Sequence, residues 1–145
     1  MRVFVAGAGG AVGRRLVPLL VSAGHSVVGL THTPAKAAAI RAAGAEAAIV
    51  DGLNRAAVVK AVVDAKPDVI VHQMTSLSAA NDLRKFDQSF ALTNRLRTEG
   101  LDNLLAAAKQ AETPRVVAQS FCGWPRPGGS RNGWLGSPPA STSSD

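Results

Sequence analysis

Three glycines spaced three residues apart, Gly7, Gly10 and Gly13, are the residues of this chain best suited to binding chemistry. Gly7 lets the chain leave a strand in a tight turn that a side chain would obstruct. Gly10 keeps bulk away from where a pyrophosphate would lie, and Gly13 lets a helix approach a strand closely. The N–H groups around Gly10, Ala11 and Val12, with a helix dipole behind them, favour a bound anion. Further on come two hydroxyls, an imidazole and an amine: Thr31, His32, Thr33 and Lys36. No carboxylate lies in residues 27–45. An acidic group at such a place would bond the ribose of NAD, whereas a basic set accepts the extra phosphate of NADP. The set here favours NADP over NAD. The alternative is an ordinary strand-to-helix turn with a surface lysine.

These residues act together only if strands and helices bring them together. Residues 3–6 are a short apolar run of strand length, and Val12, Leu16, Leu19 and Leu20 recur at helical spacing just after the glycines. Strand, glycine turn, helix is the context that makes such a motif a dinucleotide-binding candidate. Pro18 predicts a bend in that helix. Further strands are predicted at residues 26–30, 46–50, 69–72 and 115–119, and helices at 35–43 and 53–65. Residues 82–111 are helical in character, as two helices or one bent one. Five strands alternating with helices predict an α/β fold, a doubly wound parallel sheet of order 3-2-1-4-5. Ligands of such sheets bind beyond the carboxyl ends of the strands. Residues 7–13, Thr31, His32, Asp51, Gln73, Met74, Thr75 and Ser120 all fall there.

The G-x-x-G-x-x-G spacing resembles the NAD-dependent epimerase/dehydratase family, the extended short-chain dehydrogenase/reductases. Residues 68–75 (DVIVHQMT), 100–108 (GLDNLLAAA) and 116–124 (VVAQSFCGW) resemble further stretches of it. The resemblance covers about residues 1–124 and implies a Rossmann-like NAD(P)-binding half. It implies that Asp51, followed by Gly52, approaches the adenine amino group; Asp51 as a helix cap is the alternative. It implies that Met74 and Thr75, at two positions usually small in the family, border a cofactor ribose and that Ser120 hydrogen-bonds a substrate oxygen. Arg97 takes the register of an asparagine that organises the family's active site, and Asn94 lies one turn earlier. His72 sits in an apolar strand and reads as a satisfied buried histidine rather than a base. The family's acid/base chemistry uses a Y-x-x-x-K pair, but this chain has no tyrosine and its last lysine is Lys109. Two classes of function remain. One is an epimerase, dehydratase or reductase whose catalytic half is missing from this chain. The other is a non-catalytic NAD(P)-binding or redox-sensing module.

Composition narrows the partners. The 145 residues are 46% hydrophobic, ample for one domain, and residues 125–145 turn rich in glycine, proline and serine. Residues 1–124 are therefore expected as the NAD(P)-binding domain and 125–145 as a disordered tail. The single cysteine, Cys122, excludes an intrachain disulfide, and a cytoplasmic setting is expected. No apolar run is long enough for a membrane span. The net charge of +6 comes from scattered arginines with no basic run, so nucleic acid is not the expected partner. No metal site is expected. The implied partners are a dinucleotide and, in the complete family fold, a small-molecule substrate; the oligomeric state is left open.

Overall fold

The computed structural model describes residues 1–76 and 86–120. Cys122 and the composition boundary at residue 125 lie outside the described residues. The elements run β1 (Arg2–Ala6), α1 (Gly13–Ser22), β2 (Ser26–Thr31), α2 (Pro34–Ala42), β3 (Glu46–Ile49), α3 (Arg55–Ala65), β4 (Val69–His72), α4 (Phe86–Arg97), α5 (Glu99–Gln110) and β5 (Val116–Ala118). All pairings are parallel and the order is β3-β2-β1-β4-β5, the order expected from the alternation.

Side chains alternate across a strand, and β1 uses both faces. Phe4 and Ala6 pack with Ile70, Leu30, Val58, Val62, Leu104 and Ala107 on the α3–α5 side. Val3 and Val5 pack with Val17, Val27, Ile40 and Val69 on the α1–α2 side. This two-sided burial is why β1 and β4 read as unbroken apolar runs. The register sets Phe4 beside both Val28 and Ile70. Arg2 fastens the amino end of the sheet. Its guanidinium donates to the Ala65 carbonyl at 2.5 Å and to Ser26 Oγ at 3.2 Å, and pairs with Glu46 at 2.9 Å.

Three local expectations meet particular outcomes. The helical stretch after β4 is two helices, parted at Thr98. The Thr98 hydroxyl donates to the Asn94 carbonyl at 3.0 Å, a back-bond of the kind that bends helices. Helix α3 starts two residues later than expected. Asp51 Oδ1 first accepts from the Leu53 N–H at 2.9 Å in a turn, and Asn54, not Asp51, caps the helix by accepting from Ala57 N–H at 3.1 Å. Helix α1 runs from Gly13 to Ser22 through Pro18. The proline forfeits only the bond to the Arg14 carbonyl, within the helix's first two turns. Among the described residues no helix is long and apolar enough to cross a membrane.

Phe4 is wholly inaccessible, whereas Val117 on the outer strand is 55% exposed. Phe4→Ala is expected to cost about 3–5 kcal/mol. Val117→Ala should change stability by less than about 0.5 kcal/mol. Urea titration followed by circular dichroism checks both; equal costs would refute the two-sided core.

Candidate dinucleotide-binding site

The loop between β1 and α1 is fixed by backbone contacts. Gly7 and Ala8 N–H both donate to the Leu30 carbonyl, at 3.2 and 3.1 Å, which holds the loop against the end of β2. Gln73 N–H donates to the Ala6 carbonyl at 2.8 Å, which brings in the end of β4. Gly7 has φ +91°, and a Cβ there would lie 2.6 Å from the Gln73 carbonyl oxygen. A Cβ at Gly13 would run into the Gly7 carbonyl and the backbone of Ala8. These two glycines are therefore required by steric fit. At Gly10 only the Gly7 carbonyl, at 3.2 Å, would stand near a Cβ.

The N–H of Gly10 is not available to a ligand, because it donates to the Gly7 carbonyl at 3.0 Å. Among the described residues no backbone carbonyl accepts from Ala11, Val12 or Gly13. No side chain caps this end of α1 either, since the cap position is Val12. The anion-binding donors thus sit one residue later than the motif suggested, and the α1 dipole points the same way.

Beside the loop is a cleft whose enclosed part measures about 60 Å³. It is lined by Gly7, Gly9, Gly10, Leu30, Thr31, His32, Lys36, Gln73, Met74 and Leu96. Seven of the residues singled out from the sequence, scattered from position 7 to position 74, converge here. Gly9, Leu30 and Leu96 were missed. No sequence signal set Gly9 apart from the other glycines of the turn; only the fold shows that a Cβ there would lie 2.8 Å from Lys36 Cδ and 3.2 Å from Thr31 Oγ1. The Gln73 Oε1 atom is buried with no hydrogen-bond partner. A buried acceptor left unmade is costly, so a donor from a bound group suits this place. A larger groove of about 360 Å³ runs between β3 and α3, but it is lined by Arg2 and Glu46, at the amino ends of their strands. It runs along β3 as far as Val50, over a face of the sheet and not beyond the carboxyl ends where ligands of this fold bind.

The remaining candidates are not part of the cleft's lining. Asp51, Thr75, Asn94 and Ser120 are exposed and do not line it, nor do Ala11 and Val12 on the outside of the loop. Gly52 is buried behind the cleft. A Cβ there would collide with Met74 Sδ, and at Gly100 it would lie 3.1 Å from Met74 Cε. Met74 is thus wedged between two glycines, and the buried Asn103 Nδ2 donates to the Gly52 carbonyl at 3.0 Å. Thr93, which the sequence reading passed over, is buried and accepts from Ser76 N–H at 3.0 Å, tying the strand-end loop to α4.

His72 is 3% exposed, and its Nδ1 accepts from Met74 N–H at 3.3 Å. Burial, and then the nearby Arg97 charge, lower its pKa; a hydrogen bond with the Leu96 backbone opposes them. The ring is neutral and joins β4, the Met74 loop and α4, as a satisfied buried histidine does.

A Gly-rich strand-to-helix turn at the carboxyl edge of a 3-2-1-4-5 parallel sheet, with an uncapped helix behind it, defines a Rossmann-type dinucleotide-binding domain. A family model for NAD(P)H-binding proteins matches residues 7–139, and the chain belongs to that family. It is 45% identical over 122 residues to the 3-diazoavenalumate denitrifying reductase of a Streptomyces species, covering 83% of this chain. The chain spans 38% of that relative's length. It also superposes on UDP-glucose 4-epimerase from Thermotoga maritima, with UDP-glucose, at a TM-score of 0.69 and 16% identity. That match covers 85% of this chain and 38% of the epimerase. The Brucella ovis UDP-glucose 4-epimerase, in complex with NAD, gives 0.68 and 23%, covering 86% and 38%. The epimerases share the fold; the reductase shares sequence as well.

The depressed pKa of His72 fixes a sign. The unfolded chain takes up a proton near the ordinary value of 6.5, and the folded chain does so only at lower pH. Stability is therefore full above 6.5 and falls as pH drops below it, levelling off below the folded pKa. Melting temperatures between pH 7.5 and 5.0 should fall, and His72→Asn should flatten that part of the curve. An unchanged slope in the variant would show that His72 does not carry it.

Proposed function

We propose that this chain is the cofactor-binding part of a reductase-type oxidoreductase and that it takes NADP(H) in preference to NAD(H). The observation that carries the reading is the convergence of Gly7, Gly10, Thr31, His32, Lys36, Gln73 and Met74 on one cleft beside uncapped helix donors. The residues present fit the group. The open side of Gly10 leaves room for a pyrophosphate, and Ala11, Val12 and Gly13 offer N–H donors to it. Gln73 offers a buried acceptor to a ribose hydroxyl. Asp51 and Gly52 stand toward the adenine end, and Thr75, Asn94 and Ser120 on the side of the nicotinamide and substrate. Thr31, His32 and Lys36, with no carboxylate among them, support the NADP preference.

The bound dinucleotide supplies hydride chemistry; the chain's own residues hold and orient it. The identity to a reductase favours reduction over epimerisation. A phenol–lysine pair is not part of this chain, because it contains no tyrosine. Ser120 offers a hydrogen bond to a substrate oxygen but not a group that exchanges a proton near neutral pH. Acid–base assistance of that kind is typically worth about 10²–10⁴-fold. The chain by itself accordingly binds cofactor without appreciable turnover. The activity of a whole enzyme draws on residues outside it.

Calorimetric titration tests the binding half. NADPH is expected to bind weakly and more tightly than NADH, since the cleft is small, about 60 Å³. Gly10→Asp should abolish binding, with the melting curve checking that the variant folds. Preference for NADH, or unchanged binding in the variant, would refute the respective claim. For turnover, NADPH consumption with carbonyl and sugar-nucleotide substrates is expected at background. Robust turnover that disappears in Ser120→Ala would overturn the account of the missing phenol.

A further inference from the structure

We propose that His72 is a positioning residue for the dinucleotide: from behind the cleft its neutral ring holds Met74 and Leu96 in the wall, so that protonation of the ring and binding of the cofactor oppose one another. The inference rests on the dinucleotide reading above but not on the preference for NADP(H). It couples the cleft to pH through a side chain that does not line it.

Met74 and Leu96 both line the cleft and come from different elements, the loop after β4 and helix α4. His72 is bonded to each. Its Nδ1 accepts from the Met74 N–H at 3.3 Å. Its hydrogen bond with the Leu96 backbone favours the charged ring, so the ring is the donor there and its proton sits on Nε2. Both nitrogens of the neutral ring are therefore used. The two wall residues close on one spot: a Cβ at Gly52 would collide with Met74 Sδ and lie 3.6 Å from Leu96 Cδ2. Gln73, between His72 and Met74 in the chain, also lines the cleft and keeps its Oε1 buried without a partner.

A second proton breaks this arrangement. Nδ1 turns from acceptor to donor and faces the Met74 N–H, two donors 3.3 Å apart. The strand neighbours of His72 are Ala6 on β1 and Ala118 on β5, which carry no charge. Helix α4 brings the Arg97 charge, which opposes a second cation. On α5, Glu99 and Asp102 are exposed, and Glu99 is paired with Arg95. Among the described residues no carboxylate acts on the ring. Charging it therefore displaces the Met74 N–H, and with it the wall that Gln73 and Met74 supply. Burial, and then Arg97, lower the ring's pKa, so the wall stands at neutral pH and is lost in acid. A ligand that needs the wall expels the proton, and its affinity falls as pH drops through the folded pKa, below 6.5. His32 lines the cleft itself and acts with the opposite sign, because its charged ring attracts phosphates.

For the test all chains carry His32→Gln, which removes that second imidazole. The 145-residue chain, His72→Asn and His72→Leu are titrated calorimetrically with NAD⁺ between pH 7.5 and 5.0, and melting curves check folding at each pH. NAD⁺ lacks the 2′-phosphate of NADP⁺, which titrates in this range. With His72 in place, affinity is expected to be level above pH 6.5. By pH 5.0 it should be lower by about threefold or more, the limit for one proton being about tenfold per pH unit. Binding at pH 5.5 should release a proton to the buffer. Asparagine keeps an acceptor for the N–H two residues on but takes up no proton, so binding should persist while its pH dependence and the proton release disappear. Leucine makes neither bond and should bind about tenfold more weakly already at pH 7.5. The asparagine variant decides the matter where the leucine variant does not fold. Equal pH profiles with and without His72, or a flat profile with it, would overturn the role of His72 while dinucleotide binding still stands. A chain that binds neither NAD⁺ nor NADP⁺ at pH 7.5 would remove the dinucleotide reading itself.

Discussion

The close approach of three backbones is the constraint on which the rest of this structure depends. The end of β1, the end of β4 and the start of α1 meet where a single methyl group at Gly7 or Gly13 would collide with a carbonyl. Because they meet, the first turn of α1 sits directly over the carboxyl edge of the sheet, with its N–H groups and its dipole directed at one spot. The two bonds from Gly7 and Ala8 to the Leu30 carbonyl draw β2 into the same junction. Binding capacity here is therefore a consequence of packing. At the glycine turn, where side chains are absent, backbone N–H groups are left to face a ligand, beside the side chains that the neighbouring strands supply.

The floor beneath that junction is set by a different contact. Met74 fills the space between Gly52 and Gly100. A flexible thioether suits such an irregular gap. The family resemblance expects a small residue at this position. The two glycines make room for the larger one, so a departure from the pattern at one residue is matched at two others distant in sequence. His72 and Thr93 complete the support by binding the backbone of Met74 and Ser76. None of these residues carries chemistry, yet each determines where the cleft wall stands.

Much of the fold was legible because parallel strands buried on both faces leave unbroken apolar runs, and because glycines and prolines mark the turns between them. The five strands, their order and the glycine junction follow from those signals. Boundaries were less legible where a side chain makes a local bond. The late start of α3 depends on the Asp51 turn and the Asn54 cap, and the break at Thr98 depends on a hydroxyl bonded to the preceding turn. Such competing bonds alter no periodicity, so pattern reading passes over them.

The sequence by itself determined the class of ligand, since only a strand, a glycine turn and an amphipathic helix are needed to present backbone N–H groups to a phosphate. It also determined that no tyrosine is available to this chain. Tertiary structure alone decided which of the candidate residues share a cleft. It brought Lys36 onto Gly9, left Gln73 Oε1 buried without a partner, turned the Gly10 N–H inward, and set Asp51, Asn94 and Ser120 outside the cleft wall. The physical reason is that spacing along a chain encodes the direction of a residue within its own element. Distances between elements are fixed by how their side chains pack, and no single stretch of sequence contains both partners of such a contact.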